Sequence, residues 1–183
     1  MKREAGFTLT ELMTVAAIVA ILLAVGLPSY RYITTSYRMS GEVNNLLGDL
    51  MYARAEALKE GQYVTVCVSN NNGNGCTGGG WQNGWVVYSN STLAGTPPPG
   101  SVLRIQPPFG GNPPDTFTAG INSVTYNREG FAWTPAGFLP AGTLITLHNP
   151  GANAGYTRCL SISPQGTPYT ETAATSVPAG ACN

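Results

Sequence analysis

The residues able to do chemistry in this chain are few: four cysteines, one histidine and a single carboxylate set in an apolar run. The cysteines are Cys67, Cys76, Cys159 and Cys182. They read as disulfides of an oxidising compartment or as a zinc site. Zinc sites favour C-x-x-C pairs and histidines, and here there is no such pair and only His148. Disulfides are the better reading. Four cysteines allow three connectivities, of which the local pairing Cys67–Cys76 and Cys159–Cys182 closes two short loops. His148 ends a strand-like run beside Asn149 and Pro150, a turn position with no Ser or Cys nucleophile assigned to it. The glycine-rich "TGGGWQNGW" lacks the lysine and the strand–loop–helix setting of a phosphate loop. No catalytic site, metal or cofactor is expected.

The carboxylate is Glu11. It lies in "GFTLTELMTVAAIVAILLAVGLPSY", where it is the one charge between Phe7 and Leu27. At 1.5 Å per residue that run spans roughly 30 Å, the thickness of a bilayer core. A charge there costs a few kcal/mol or more, so it needs a partner or a function. The preceding Lys2 and Arg3 fit a positive-inside orientation with the bulk of the chain exported. A cleaved secretory signal and a generic anchor are rival readings, and both leave Glu11 unexplained.

The elements around these residues follow from period and composition. Pro28 removes one helical hydrogen bond and should kink a helix that continues past the membrane. Val43, Leu47, Leu50, Arg54 and Ala57 fall at helical spacing, with Leu46 and Leu58 beside them, as an amphipathic stripe. Glu42, Asp49 and Glu56 recur on another face, to be solvated or to meet basic groups of neighbouring subunits. Gly61 is the expected stop. Beyond it "QYVTVCVS", "GWVVYSN", "SVLRIQ", "SVTYN", "GTLITLHN" and "RCLSISPQG" read as strands, the last two closing the series. A long helix followed by antiparallel strands is an α+β fold.

Charged residues make up only 10% of the chain, against ~25% in ordinary soluble domains. With 23 glycines and 14 prolines, this suits an extracellular β-rich domain with polar loops. From Gly61 onward Arg104, Arg128 and Arg158 balance Asp115, Glu129 and Glu171. That neutrality lacks the basic footprint of a nucleic-acid binder.

The N-terminal pattern G-F-T-L-x-E-L resembles the leader of type IV pilins and pseudopilins. The resemblance implies cleavage by a prepilin peptidase between Gly6 and Phe7, methylation of the new Phe7 amine, and retention of the apolar helix. It also implies that Glu11 meets the Phe7 ammonium of a neighbouring subunit, each offsetting the desolvation of the other. "WQNGWVVYS" and "RCLSISPQG" resemble the globular half of the FimT, FimU and GspH group, while residues from about Asn90 to Ala141 are uninformative. Trp81 and Trp85 are expected in the core.

The organisation expected is a leader over 1–6, a transmembrane or filament-core helix over 7–27, an amphipathic helix over 28–60 and an extracytoplasmic β-rich domain over 61–183. The leading functional expectation is a minor pilin that helps initiate a pilus. The alternatives are the H pseudopilin of a type II secretion system and a pilus-borne DNA receptor. The implied partners are other minor pilins, the major pilin, the peptidase and the inner-membrane assembly platform. Some FimT-like proteins bind DNA through G-R-x-R; here Gly166 is followed by Thr167, with Tyr169 at the second arginine position. DNA is therefore not an expected partner. The protein would sit single-pass in the inner membrane with its globular part periplasmic, then enter a pilus or pseudopilus.

Overall fold

The computed structural model describes residues 6, 8–69, 75–91, 97–98, 100–111, 113–134, 137–172 and 182. The chain divides into two compact units, one ending at Arg38 and the other starting at Met39. A single helix, α1 (Leu9–Glu60), contributes to both. It ends as an αL cap: Gly61 has φ 63° and its N–H donates to the Ala57 carbonyl at 3.0 Å.

From Leu12 to Leu27 the only polar side chain of α1 is Thr14, and this stretch is exposed. Leu9, Leu12, Ile21 and Val25 are among the residues that face outward. An 18-residue window of α1 is apolar enough to cross a membrane, and none of it is buried. Pro28 lies inside the helix, so the Ala24 carbonyl has no N–H four residues on.

Among the described residues of the second unit ten strands follow the helix. They are β1 (Tyr63–Val68), β2 (Trp85–Asn90), β3 (Val102–Gln106), β4 (Thr116–Ala119), β5 (Ser123–Tyr126), β6 (Ala132–Thr134), β7 (Gly137–Phe138), β8 (Thr143–His148), β9 (Arg158–Ile162) and β10 (Pro168–Thr172). They form two sheets, β3-β2-β1-β5-β6-β7 and β10-β9-β8-β4, and all their pairings are antiparallel. The α+β expectation holds. All six expected strands form.

Four strands were not read from the sequence, and the Arg158 strand is not the last. β10 opens with Pro168 and is an edge strand, where proline is tolerated because one side needs no ladder donor. β6 and β7 are too short to show a period.

Met39, Val43, Leu46, Leu50, Ala53 and Ala57 of α1 are buried to 2% or less. Their spacing of four, three, four, three and four keeps them on one stripe. They share a core with Val64, Val66, Trp85, Val124 and Tyr126 of the first sheet and Ile145, Leu147, Leu160 and Ile162 of the second. The stripe is displaced from the expected one. Leu47 and Arg54 are only half-buried and Leu58 is 51% exposed, while Met39 and Ala53 join the seam.

The face of Glu42, Asp49 and Glu56 is not simply solvated. Each immediately precedes a seam residue, so it flanks the packed stripe. Glu42 is buried, Asp49 is bound within the fold, and Glu56 accepts from Lys59 at 3.1 Å.

Strand β1, in the middle of the first sheet, is buried on both faces. Val64, Val66 and Val68 point to the helix side, while Thr65 and Cys67 alternate to the other and are also buried. There Thr65 and Thr125, directly opposite across β1 and β5, share a hydroxyl–hydroxyl hydrogen bond of 2.8 Å. Cys67, Val86 and Tyr88 form a second small cluster.

Cys67 is bonded to Cys76, and Cys159 to Cys182. The first links β1 to the segment before Trp81, and the second holds Cys182 fully buried beside β9.

Candidate assembly and processing site

The N-terminus of α1 carries the one charge of the apolar run. Thr8 is the cap: its Oγ1 accepts the Glu11 N–H at 3.3 Å and its carbonyl accepts the Leu12 N–H at 3.2 Å. Glu11 is thus the third residue of the helix, where a carboxylate lies favourably in the positive field of the helix dipole. The segment Thr8-Leu9-Thr10-Glu11 has the T-x-x-E spacing of a capping box. This spacing is legible in the sequence alone. Thr10 and Thr14 also have local partners: the Thr10 hydroxyl lies 3.2 Å from that of Thr8, and the Thr14 hydroxyl donates to the Glu11 carbonyl at 2.9 Å. These bonds matter in a bilayer, where water cannot satisfy them.

Gly6 is exposed, and a Cβ built on it would meet nothing within 4 Å. The fold itself places no limit on side-chain size there. Any requirement for glycine at that position must come from an enzyme that handles the segment. Phe7, the residue expected to carry the new amine, lies outside the described residues.

The globular unit holds its tryptophans in the core. Trp81 is 1% exposed and its Nε1 donates to the Ile121 carbonyl at 2.9 Å. Trp85 is fully buried and its Nε1 donates to Asp49 Oδ2 at 2.8 Å. Arg104 donates to Oδ1 of the same carboxylate at 3.0 Å and stacks 3.8 Å from the Tyr52 ring centroid. Arg158 donates to the carbonyls of Gly155 and Thr157 and to Ser40 Oγ. Arg128 lies over the Tyr63 ring, 5.9 Å from its centroid, so all three arginines beyond Gly61 are engaged by the fold.

In the segment matched to the DNA-binding pattern, the Thr167 N–H donates to Ser163 Oγ. Gly166 has φ 81°, and a Cβ there would collide with the Gly130 carbonyl oxygen. Its glycine is accounted for by turn geometry and close packing. His148 is half-buried and lines an open cleft with Pro113, Pro114, Thr116, Asn149, Pro150 and Ala152.

Residues 1–27 match the prokaryotic N-terminal methylation motif, and residues 42–166 match the family described as type II transport protein GspH. No curated protein sequence matches the chain. Two crystal structures of the type IV minor pilin FimU of Pseudomonas aeruginosa (strain PAO1) share its fold. The form in space group P21 superposes with a TM-score of 0.58 at 19% identity, over 78% of this chain and 95% of that one. The P65 form gives 0.52 at 19% identity, over 74% and 94%.

Proposed function

The chain belongs to the family of the type II transport protein GspH, and from that premise we propose that it is a minor pilin which helps initiate a type IV pilus. The observation that carries this reading is the exposed apolar run at the start of α1, whose one charge is Glu11 in the first turn. A helix apolar on all sides must be covered by lipid or by other helices, and a filament of packed helices supplies the second. The minor-pilin fold of FimU supports the reading.

In this reading residues 1–6 are a leader that prepilin peptidase removes by hydrolysing the Gly6–Phe7 bond. The Phe7 amine is then methylated. The helix over 7–27 holds the subunit in the inner membrane with the region 61–183 in the periplasm, and 28–60 continues the helix with a kink at Pro28. On extraction by the assembly platform, the Glu11 carboxylate of one subunit meets the Phe7 ammonium of its neighbour among the minor and major pilins. Both charges leave their solvating surroundings, and pairing offsets much of that cost. A subunit out of register leaves both unpaired, so the pair selects the axial step.

The role is structural. Deleting the gene tests it: surface pili should disappear or fall sharply, with export of secreted enzymes unchanged.

The family description favours a second reading, in which the same subunit belongs to the pseudopilus of a type II secretion system. Loss of secretion with normal pili on the deletion strain would decide for it.

A further inference from the structure

Between the apolar run and the globular unit, α1 carries a short segment of different chemistry. Tyr30, Tyr32 and Tyr37 are 68%, 54% and 76% exposed, and Arg31 and Arg38 are also exposed. From Leu12 to Gly41 the sequence has these two arginines and no acid. The Thr34 hydroxyl is turned back onto the helix, donating to the carbonyls of Tyr30 and Arg31 at 3.0 and 3.1 Å. Phenols and guanidinium are thus the largest exposed polar groups of this segment.

Tyrosines favour the headgroup layer, because the ring prefers an apolar setting and the hydroxyl a wet one. Guanidinium groups pair with lipid phosphates in two-pronged fashion. The segment is continuous with the membrane-crossing stretch of α1.

We infer that Tyr30, Arg31 and Tyr32 form a belt that binds the anionic headgroup layer and fixes the depth of the helix, and with it the depth of Glu11, before assembly. The inference rests on the reading of 7–27 as a membrane span. The arithmetic follows from helix geometry. A hydrocarbon core of ~30 Å takes about 20 residues at 1.5 Å each. With the belt in the headgroups, the hydrocarbon boundary at this end lies near Ser29. The opposite boundary then falls near Leu9.

Glu11 is placed only ~3 Å inside the core, within reach of the opposite headgroups. The same spacing that suits the bilayer thus keeps the unassembled carboxylate from deep burial, and holds it at the membrane face where a neighbour's amine would meet it. Tyr37 and Arg38 lie about 12 Å and 14 Å beyond Ser29 along the axis, outside the hydrocarbon.

All four native cysteines are bridged, so Thr14→Cys in the full chain supplies the one free thiol for a fluorescent label. The protein is reconstituted in vesicles of phosphatidylglycerol and phosphatidylcholine, and label depth is read by quenching with lipids brominated at defined acyl positions. Replacing the belt by leucine (Tyr30→Leu, Arg31→Leu, Tyr32→Leu) extends the apolar run through Ile33. The centre of the run, previously midway between Leu9 and Ser29, then moves by about two residues, and the label should shift ~3 Å toward the N-terminal membrane face. The conservative set Tyr30→Trp, Arg31→Lys, Tyr32→Trp should leave it in place. An unchanged depth in the leucine variant, with the extra length absorbed by tilt, would overturn the belt as the depth determinant. A label that brominated lipids quench in no variant would instead overturn the membrane seating, and the belt with it.

Discussion

The buried indole of Trp85 donates to Asp49 at 2.8 Å, joining the first-sheet strand β2 to the helix through a carboxylate that also holds Arg104 at 3.0 Å. The two bonds differ in worth. Trp85 is fully buried, so its N–H has no water to fall back on. The Arg104 side chain is half exposed, and its ion pair is screened.

Asp49→Ala should therefore destabilise a soluble fragment starting at Arg31 by about 2 kcal/mol, because it orphans a buried donor. Arg104→Ala should cost less than about 1 kcal/mol. Urea denaturation of both variants checks the order. An Arg104 variant weaker than the Asp49 variant would show that stacking on Tyr52 outweighs the indole bond.

Tyr126 sits in the core, and its hydroxyl has no hydrogen-bond partner among the described residues. Burial pushes its phenol well above the ordinary value of 10.0, against a smaller opposing effect of the nearby Arg54 charge. The folded state thus holds this proton more tightly than the unfolded chain does. The resulting stability is fully present below pH 10 and is lost as pH rises above it. Tyr126→Phe removes a buried polar group that gains nothing in return. It should be neutral or stabilising by up to ~1 kcal/mol near pH 7, and should flatten the alkaline loss of stability. A strongly destabilised phenylalanine variant would contradict the assignment.

The two disulfides close loops of different length, with sequence separations of 9 and 23. Loop entropy assigns about 2.6 kcal/mol to Cys67–Cys76 and about 3.4 kcal/mol to Cys159–Cys182. Replacing each pair by serines should lower the urea midpoint, more for the second pair. The reverse order would show that burial around Cys67, beneath β2, dominates chain entropy.

Gly6→Leu should block removal of the leader while leaving the fold unchanged, since nothing lies within 4 Å of a Cβ at that position. Immunoblots that resolve the unprocessed from the shortened chain read this directly. A normally shortened leucine variant would place the constraint elsewhere.

Glu11→Ala should leave cleavage intact but lower incorporation into filaments at least about tenfold, because it strands the neighbour's buried ammonium. Thr8→Val separates assembly from capping. It removes the side-chain acceptor for the Glu11 N–H, a change worth about 1 kcal/mol of helix stability, and should lower incorporation far less. Equal losses in both variants would reduce Glu11 to a capping residue.

Strong, repeated patterns were readable without a structure. The β-branched alternation of Val64, Val66 and Val68 gave β1, and the helical stop at Gly61 followed from glycine's access to positive φ. Weak or relational features were not. The place of Glu11 in the first turn is set by the Thr8 cap, a local relation that a charge in an apolar run does not announce. The seam shifted from Leu47 and Leu58 to Met39 and Ala53 because periodicity fixes spacing but not which of two adjacent stripes meets a sheet. The bond from Asp49 to Trp85 joins residues 36 apart, and a one-dimensional pattern carries no signal for it. β10 opens with Pro168 and is not among the strands expected from the sequence, since its edge position is not visible in the chain.

The most direct test of the central claim is mass spectrometry of the subunit in filaments sheared from its native host. The expected result is an N-terminal peptide beginning at a methylated Phe7, at low abundance beside a major pilin. A subunit beginning at Met1, or after Leu27, would contradict both the processing and the part assigned to Glu11.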